Sequence, residues 1–298
     1  MAGYLNIKFA GFSSLQDLGR KAYMAYGISS NGALDTYSYL LGNELVGNHA
    51  PEASIEITAF DFMMSSTVDV PVCITGAPAE LTIDGEPVSA EQRVILPAGK
   101  MLAVKKIHAG LRVYIAVGGG IDAEVRLGSC SFDSVGRLGE RLRNGHQLAL
   151  KQPSLHYRQA CGSPWTLDVC DGCDVEIFRD YLEKFYAATY TVSVDSNNVG
   201  VRLEGDPITG HQPTEVVSRG VAVGSIQIVP AGQPIILFKG RGGTAGYPII
   251  GVVSTADLDL VAQLRPGDEL HFHRISIEEA VQKYRAKYGS LKLSSFIK

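Results

Sequence analysis

The chain has 298 residues, more than the roughly 100 to 200 of a typical domain, so one large or two smaller domains are expected. Hydrophobic residues make up 45% and charged residues 19%; a globular chain of this size buries about three quarters of its unfolded surface, so it needs neither a disulfide nor a metal to fold. With 27 basic and 31 acidic side chains the net charge is −4, and no cluster of four or more Lys or Arg occurs, which argues against a nucleic-acid or membrane-surface partner.

The opening MAGYLNIKFAGFSSL has no basic stretch followed by an apolar core, and no window approaches about 18 apolar residues, so a cytoplasmic location is expected. Five cysteines, an odd number, then read as reduced thiols rather than a disulfide framework. Gln16, Asp17 and Arg20 surround a glycine in SLQDLGR, either as site residues or as an Asp17–Arg20 pair bracing a turn. Ser30, Asn31, Gly32 and Asp35 follow in GISSNGALD, where a loop runs straight into a helix. Asp35 is placed as its N-cap and Gly47 as its end, with Tyr37, Leu40, Leu41 and Leu45 on one stripe and Glu44 at the solvent edge. Such a loop offers N–H donors and a positive dipole end, suited to a carboxylate or phosphate.

Beyond this helix the chain is dominated by short apolar runs punctuated by Gly, Pro and Asp-Gly, the pattern of barrels or sandwiches rather than βαβ units. AELTIDGEPVS predicts a hairpin turning at Asp84-Gly85, and PVCIT, LRVYIAV, YTVSV, GSIQIV, PIILF and PIIGVV read as further strands. RNGHQLAL (143–150) and RPGDELHF (265–272) share a turn-then-strand pattern, as do the PAG turns at Pro97 and Pro230. If these mark two lobes, the boundary falls in KQPSLHYRQACGSP, dividing residues 1–155, with the loop-helix 27–48, from residues 156–298.

In the second half Cys170 and Cys173 form a C-x-x-C that reads as a turn between a strand and a helix, because a second ligand pair is missing. That helix runs from about Asp174 through Phe178, Leu182 and Phe185, and another opens with a Ser276–Glu279 capping box and carries Ala280, Tyr284 and Tyr288. The tail after Gly289 is expected to fray. VDSNNVGVRLEG contributes Asp195, Asn197, Arg202 and Glu204. KGRGGTAGYP follows a strand but lacks the Gly-Lys-Ser/Thr and helix of a P-loop; it is a flexible loop whose N–H groups and Arg241 approach an anion, or a plain glycine-rich turn. His271 and His273 share a strand face without an obvious third ligand, so no metal site is assigned. Serine-hydrolase elbow and zincin motifs are absent.

The run GFSSLQDLGRKAYMAYGISSNGALDTYSYLLGNELVGN…ASIEIT resembles the start of the biotin-dependent carboxyltransferase-like family, which includes the C subunits of 5-oxoprolinase and the second subunits of allophanate hydrolase. ITGAPAELTIDGEPV, LRVYIAVGGGID, YTVSVDSNNVGVRLEG, GSIQIVPAGQPIILF, GYP and DLDLVAQLRPGDELHF resemble its later blocks, in order, over nearly the whole chain. The resemblance implies a mainly β protein with a few helices, built as two cyclophilin-like β-barrel lobes. It implies a partner, a first subunit of the 5-oxoprolinase B type, with a third component in a complex that opens 5-oxo-L-proline to L-glutamate with coupled ATP hydrolysis. It also implies two alternatives: a carboxyltransferase component of a urea carboxylase-like biotin enzyme, or a regulatory binder of the kinase-inhibitor-antagonist type. ATP would then act at the level of the complex, and biotin would arrive on another chain.

The resemblance places Gln16, Asp17, Arg20, Ser30, Gly32 and Asp35 along a ligand cleft, with Arg202, Glu204, Gln227, Arg241, Thr244 and Tyr247 as second-half candidates. Two blocks depart from the family pattern. Ser196-Asn197-Asn198-Val199-Gly200 stands where the family reads Ser-Asp-Arg-Met-Gly. Gly240 to Pro248 stands where it reads Asp-x-Gln-Thr-Thr-Gly-Gly-Tyr-Pro. The lost acid and cation put an unchanged reaction in question.

Overall fold

The structure is a computed structural model that describes residues 3–48, 50–151, 165–211, 213, 215–289 and 291. The expected lobe boundary lies outside the described residues except for Lys151, and the expected frayed tail lies outside them except for Gly289 and Leu291. The described residues form two compact units, one within Met1–Arg20 and Asn31–Gly162 with Leu291, the other within Lys21–Ser30 and Ser163–Gly289. The stretch 27–48, expected whole in the first lobe, therefore divides: residues 27–30 belong to the second unit, where the Ser29 hydroxyl donates to the carbonyls of Gly240 (3.1 Å) and Arg241 (2.9 Å).

The protein is mainly β with a few helices, as the resemblance implied. In the first unit a seven-stranded sheet runs Ile121–Asp122, Gln147–Leu150, Tyr4–Phe9, Phe62–Ser66, Met101–Lys105, Glu80–Ile83, Glu86–Pro87. A five-stranded sheet runs Ser13–Gln16, Ser54–Thr58, Arg112–Val117, Val70–Gly76, Arg93–Leu96. Because side chains alternate across a strand, each sheet turns an apolar row inward. Leu5, Ile7, Phe62, Met64 and Leu102 of the first meet Ile55, Ile57, Val72, Ile74, Val113 and Ile115 of the second in one core. The Asp84-Gly85 hairpin forms as the sequence predicts, both residues taking positive φ (50° and 89°), as a type I′ turn requires.

Helix α1 (Thr36–Val46) is capped by Asp35, whose carboxylate accepts from the Ser38 amide at 2.9 Å, and ends at Gly47 in the left-handed conformation. The expected solvent edge is absent: Glu44 is buried. The helix is not a surface helix with one apolar stripe but an embedded one, with nine of its eleven residues buried. Gly42 permits this depth, since a Cβ there would stand 3.1 Å from that of Ala116. Asn43 then serves the interior, its amide donating to Ser54 Oγ and its carbonyl oxygen accepting from Asn48 and the Glu52 amide.

The second unit is a closed barrel in the order Thr166–Asp171, Ile249–Val253, Ser225–Ile228, Pro234–Leu237, Gly200–Glu204, Thr189–Val192, Glu269–Arg274. The expected second-half helix is instead a 3₁₀ segment, Val175–Tyr181, followed by α2 (Leu182–Ala187). Its Phe185 stacks on Phe272 with ring centroids 4.9 Å apart and with Tyr190 fills one end of the barrel core. Helix α3 (Leu258–Gln263) is too short to show helical periodicity in the sequence. The turns at 143–146 and 265–268 have the same geometry, with amide-to-carbonyl bonds His146–Arg143 and Asp268–Arg265 and left-handed Gly145 and Gly267. Each feeds a strand, as the sequence repeat suggested.

Helix α4 (Ile277–Tyr288) carries both halves of the capping box at Ser276 and Glu279. Two lysines one turn apart clamp it to acids outside the helix: Lys283 Nζ to Asp168 (2.6 Å) and Asp257 (2.8 Å), Lys287 Nζ to Asp259 (2.6 Å). The pattern is short on apolar contact, since Tyr288 is the only buried side chain of the helix. Capping should therefore weigh heavily here. Ser276→Ala is expected to cost about 1 kcal/mol, seen as a lower urea midpoint with an unchanged slope.

Candidate functional site

The candidates of the first unit converge, and their hydrogen bonds go to one another and to a distant loop, with Gln16 Oε1 and Arg20 Nη1 left without a partner among the described residues. Asp17 does not pair with Arg20. Its carboxylate accepts from the hydroxyls of Ser129 and Ser131 (both 2.6 Å) and from the amides of Cys130 (2.9 Å) and Gly19 (2.8 Å). Arg20, 1% exposed, donates to the carbonyls of Arg126 (3.2 Å), Ser129 (3.3 Å) and Ser131 (2.5 Å). Burial pushes the Asp17 carboxyl up, but the four hydrogen bonds outweigh it and hold the group below the usual carboxylate range. Gln16 is buried beside them, donating to Ser14 Oγ at 3.0 Å. The expected Asp17–Arg20 pair is therefore not formed; acid and cation each pin the 126–131 loop instead.

Gly32 closes the same corner. It sits at φ +90°, and a Cβ on it would meet the Gly19 nitrogen at 2.8 Å and the Asp17 carbonyl oxygen at 2.9 Å, so no side chain fits. The next amide, Ala33, donates to that Asp17 carbonyl at 2.8 Å. The helix N-terminus, expected to present donors to an anion, has its own acceptors. Asp35 caps Ser38, the Leu34 amide donates to Glu56 (3.1 Å), and the Asp35 amide donates to the Tyr114 hydroxyl (2.9 Å). Tyr114 in turn donates to Glu56 at 2.6 Å, with Arg112 3.8 Å from that carboxylate. Burial, then the neighbouring Glu56 and Asp35, push the Tyr114 hydroxyl well above its ordinary value, so it stays a donor. Sequence reasoning misses Glu56 and Tyr114 because each lies inside an apolar strand run.

Of the second-unit candidates, Arg241, Thr244 and Tyr247 lie on the Gly-rich loop and Gln227 bonds it from a strand. Gln227, buried in its strand, donates to the Tyr247 carbonyl at 2.8 Å. Thr244 belongs to a short strand paired with Arg219–Gly220. The loop is therefore less free than expected: the Gly240 amide donates to the Asn198 carbonyl (2.7 Å) and the Arg241 amide to that of Phe238 (3.1 Å). Arg241, 6% exposed, donates from Nε to the Val221 carbonyl at 3.0 Å. Ser30, on the Lys21–Ser30 segment, is half-buried next to Ser29, which bonds this loop. Arg202 and Glu204 are exposed on the outer face of their strand, where alternation buries Val201 and Leu203 instead. Asp195 is likewise exposed, and Asn197 caps its own turn through the Val199 amide. The two blocks that depart from the family pattern touch each other, at Asn198 and Gly240.

Cys170 lies near the end of a strand and Cys173 in the following turn, both as free thiols. His271 and His273 are both exposed, and His273 Nδ1 lies 2.9 Å from Asp168. Among the described residues no group of three or more His, Cys, Asp or Glu is placed to hold a metal, and no helix is long and apolar enough to cross a membrane.

Comparison with known proteins accords with this architecture. Residues 26–274 match the family model "Carboxyltransferase domain, subdomain A and B", and the chain belongs to that family. It is 32% identical to the C subunit of 5-oxoprolinase from Escherichia coli over 286 residues, covering 93% of this chain and 92% of that protein. The Haemophilus influenzae protein of the same name is also 32% identical, covering 92% and 91%. Among solved structures, Kluyveromyces lactis urea carboxylase superposes with a TM-score of 0.90 at 26% identity, covering 98% of this chain but 29% of that longer protein.

Removing the Asp17 carboxylate orphans two amides and two hydroxyls, so Asp17→Ala is expected to destabilise the protein by about 3 kcal/mol, read as a lower urea midpoint. Because the folded carboxyl is held low, its contribution is full above about pH 4, the unfolded Asp value, and is lost as pH falls through the lower folded value. Asp17→Asn should flatten that acid limb.

Proposed function

We propose that this protein is the C-type subunit of a 5-oxoprolinase complex, which opens 5-oxo-L-proline to L-glutamate. In that reaction the lactam C–N bond breaks, water adds across it, and ATP is hydrolysed in a coupled step. One observation carries the reading: this chain and the C-type 5-oxoprolinase proteins match end to end, more than nine tenths of each. A first subunit of the B type is the expected partner, a third component completes the complex, and ATP acts at complex level. Ligand contact is assigned to Ser30, Gln227, Arg241, Thr244 and Tyr247. Gln16, Asp17, Arg20, Gly32 and Asp35 shape and hold the first unit, because the hydrogen bonds their side chains make go to its own hydroxyls, amides and carbonyls and no side chain fits at Gly32.

A second reading has its own support. The matching family model is a carboxyltransferase domain and the likeness to urea carboxylase spans the chain, so carboxyl transfer from a biotin carried on another chain fits the same fold. Fold alone does not choose between chemistries. A third, non-catalytic binding, draws on the replaced residues at Asn198 and Gly240.

Reconstitution with the neighbouring-gene partners distinguishes them. The expected outcome is phosphate release that depends on 5-oxoproline and on this protein. Release with urea and biotin-carboxylase components would favour carboxyl transfer instead, and an assembled but silent complex would favour binding alone.

A further inference from the structure

Arg241 is out of balance with its surroundings. Its guanidinium is buried, one of its nitrogens donates to the Val221 carbonyl, and Nη1 has no partner among the described residues; Arg20 shares an unpartnered Nη1 but has three carbonyl acceptors where Arg241 has one. Among the described residues no carboxylate pairs with it, and burial alone pushes it below the ordinary guanidinium range. An unpaired buried cation is costly in an apolar setting, so a fold keeps one where something else supplies the negative charge.

The loop around it leaves room for that charge. Gly220, Gly242 and Gly243 all lack positive φ, so their backbone does not demand glycine. Leaving aside chain neighbours, a Cβ at any of the three would meet no protein atom closer than 3.6 Å, the Met24 carbonyl oxygen beside Gly243. Packing therefore does not demand glycine either. The Gly242 and Gly243 amides have no acceptor among the backbone bonds of the described residues. By contrast the Gly240 and Arg241 amides are bonded, and Ser29 holds their carbonyls, which fixes the approach to the open stretch.

We propose that Arg241, with the amides of Gly242 and Gly243, is the binding site for the oxyanion group of a small ligand, a carboxylate or a phosphate. A planar guanidinium and bare amides on one loop suit both, since charge-assisted hydrogen bonds to either are short and directional. The site follows from the loop alone; only the choice of 5-oxoproline as the first carboxylate to try rests on the function proposed above.

The test is calorimetric titration of the full chain with 5-oxoproline, inorganic phosphate and pyrrolidin-2-one, the same lactam ring without its carboxylate. Wild type should bind at least one of the two oxyanions and not the neutral lactam. Arg241→Gln should weaken that binding roughly ten- to a hundredfold, the loss of a charge-assisted bond. Gly243→Ala should weaken it by filling the space while leaving the melting temperature unchanged. Each variant's ligand-induced thermal shift is read against its own ligand-free baseline, so a change in basal stability does not obscure the result. Phosphate binding without 5-oxoproline binding, lost in Arg241→Gln, supports the site and makes phosphate its occupant. Equal affinity in Arg241→Gln and wild type, or no oxyanion bound at millimolar concentration, overturns it. Because no turnover is involved, this failure is distinct from a silent complex, which bears on the reaction alone.

Discussion

A carboxylate drawn out of water must be given donors, and in this protein that requirement links segments more than a hundred residues apart. Asp17 gathers two serine hydroxyls and two amides, three of these donors from the 129–131 segment. Arg20, three residues later, takes three carbonyls from 126–131. The turn between them leaves a gap that only Gly32 fits, and Gly32 leads directly into the cap of α1. The polar signature of the opening loop is thus a consequence of closing one corner of a β unit. An anion there would compete with bonds the fold already makes, each costly to leave unmade.

Local devices are legible in the sequence because they act over a few residues. Asp35 and Gly47 bound α1, Asp84-Gly85 marks a hairpin, and Ser276 with Glu279 marks the start of α4, since caps and tight turns require particular side chains or positive φ. The strand runs from PVCIT to PIIGVV form strands for a similar reason, as apolar β-rich stretches bounded by turns. What a sequence cannot display is the partner across the fold. Glu44 looks solvent-facing when α1 is taken for a surface helix, whereas the chain embeds it. Asp17 and Arg20 look like a pair because, the Gly19 amide aside, their true partners lie over a hundred residues away. Ser13–Gln16 and Phe62–Ser66 are hidden because polar residues buried in a strand break the expected alternation.

The site candidates are legible as residues but not as groups. The sequence offers Arg202 and Glu204 as candidates with Arg241, yet the barrel turns those two outward, while Arg241, Thr244 and Tyr247 share one loop that Gln227 bonds from a neighbouring strand. The departures from the family pattern become intelligible on the same loop. The two blocks that depart from the pattern the resemblance implies are joined here, the Gly240 amide donating to the Asn198 carbonyl at 2.7 Å. Arg241 remains as the buried cation of the region.

The central claim is that ligand chemistry sits on the second unit's Gly-rich loop, while the polar cluster of the first unit is structural. A crystal structure of the assembled complex grown with 5-oxoproline tests this most directly. The account predicts the ligand's carboxylate within hydrogen-bond distance of the Arg241 guanidinium and the Gly242 and Gly243 amides, with the Asp17 and Arg20 bonds unchanged. A ligand held instead by Asp17, Arg20 or the start of α1, with their present bonds broken, would contradict it.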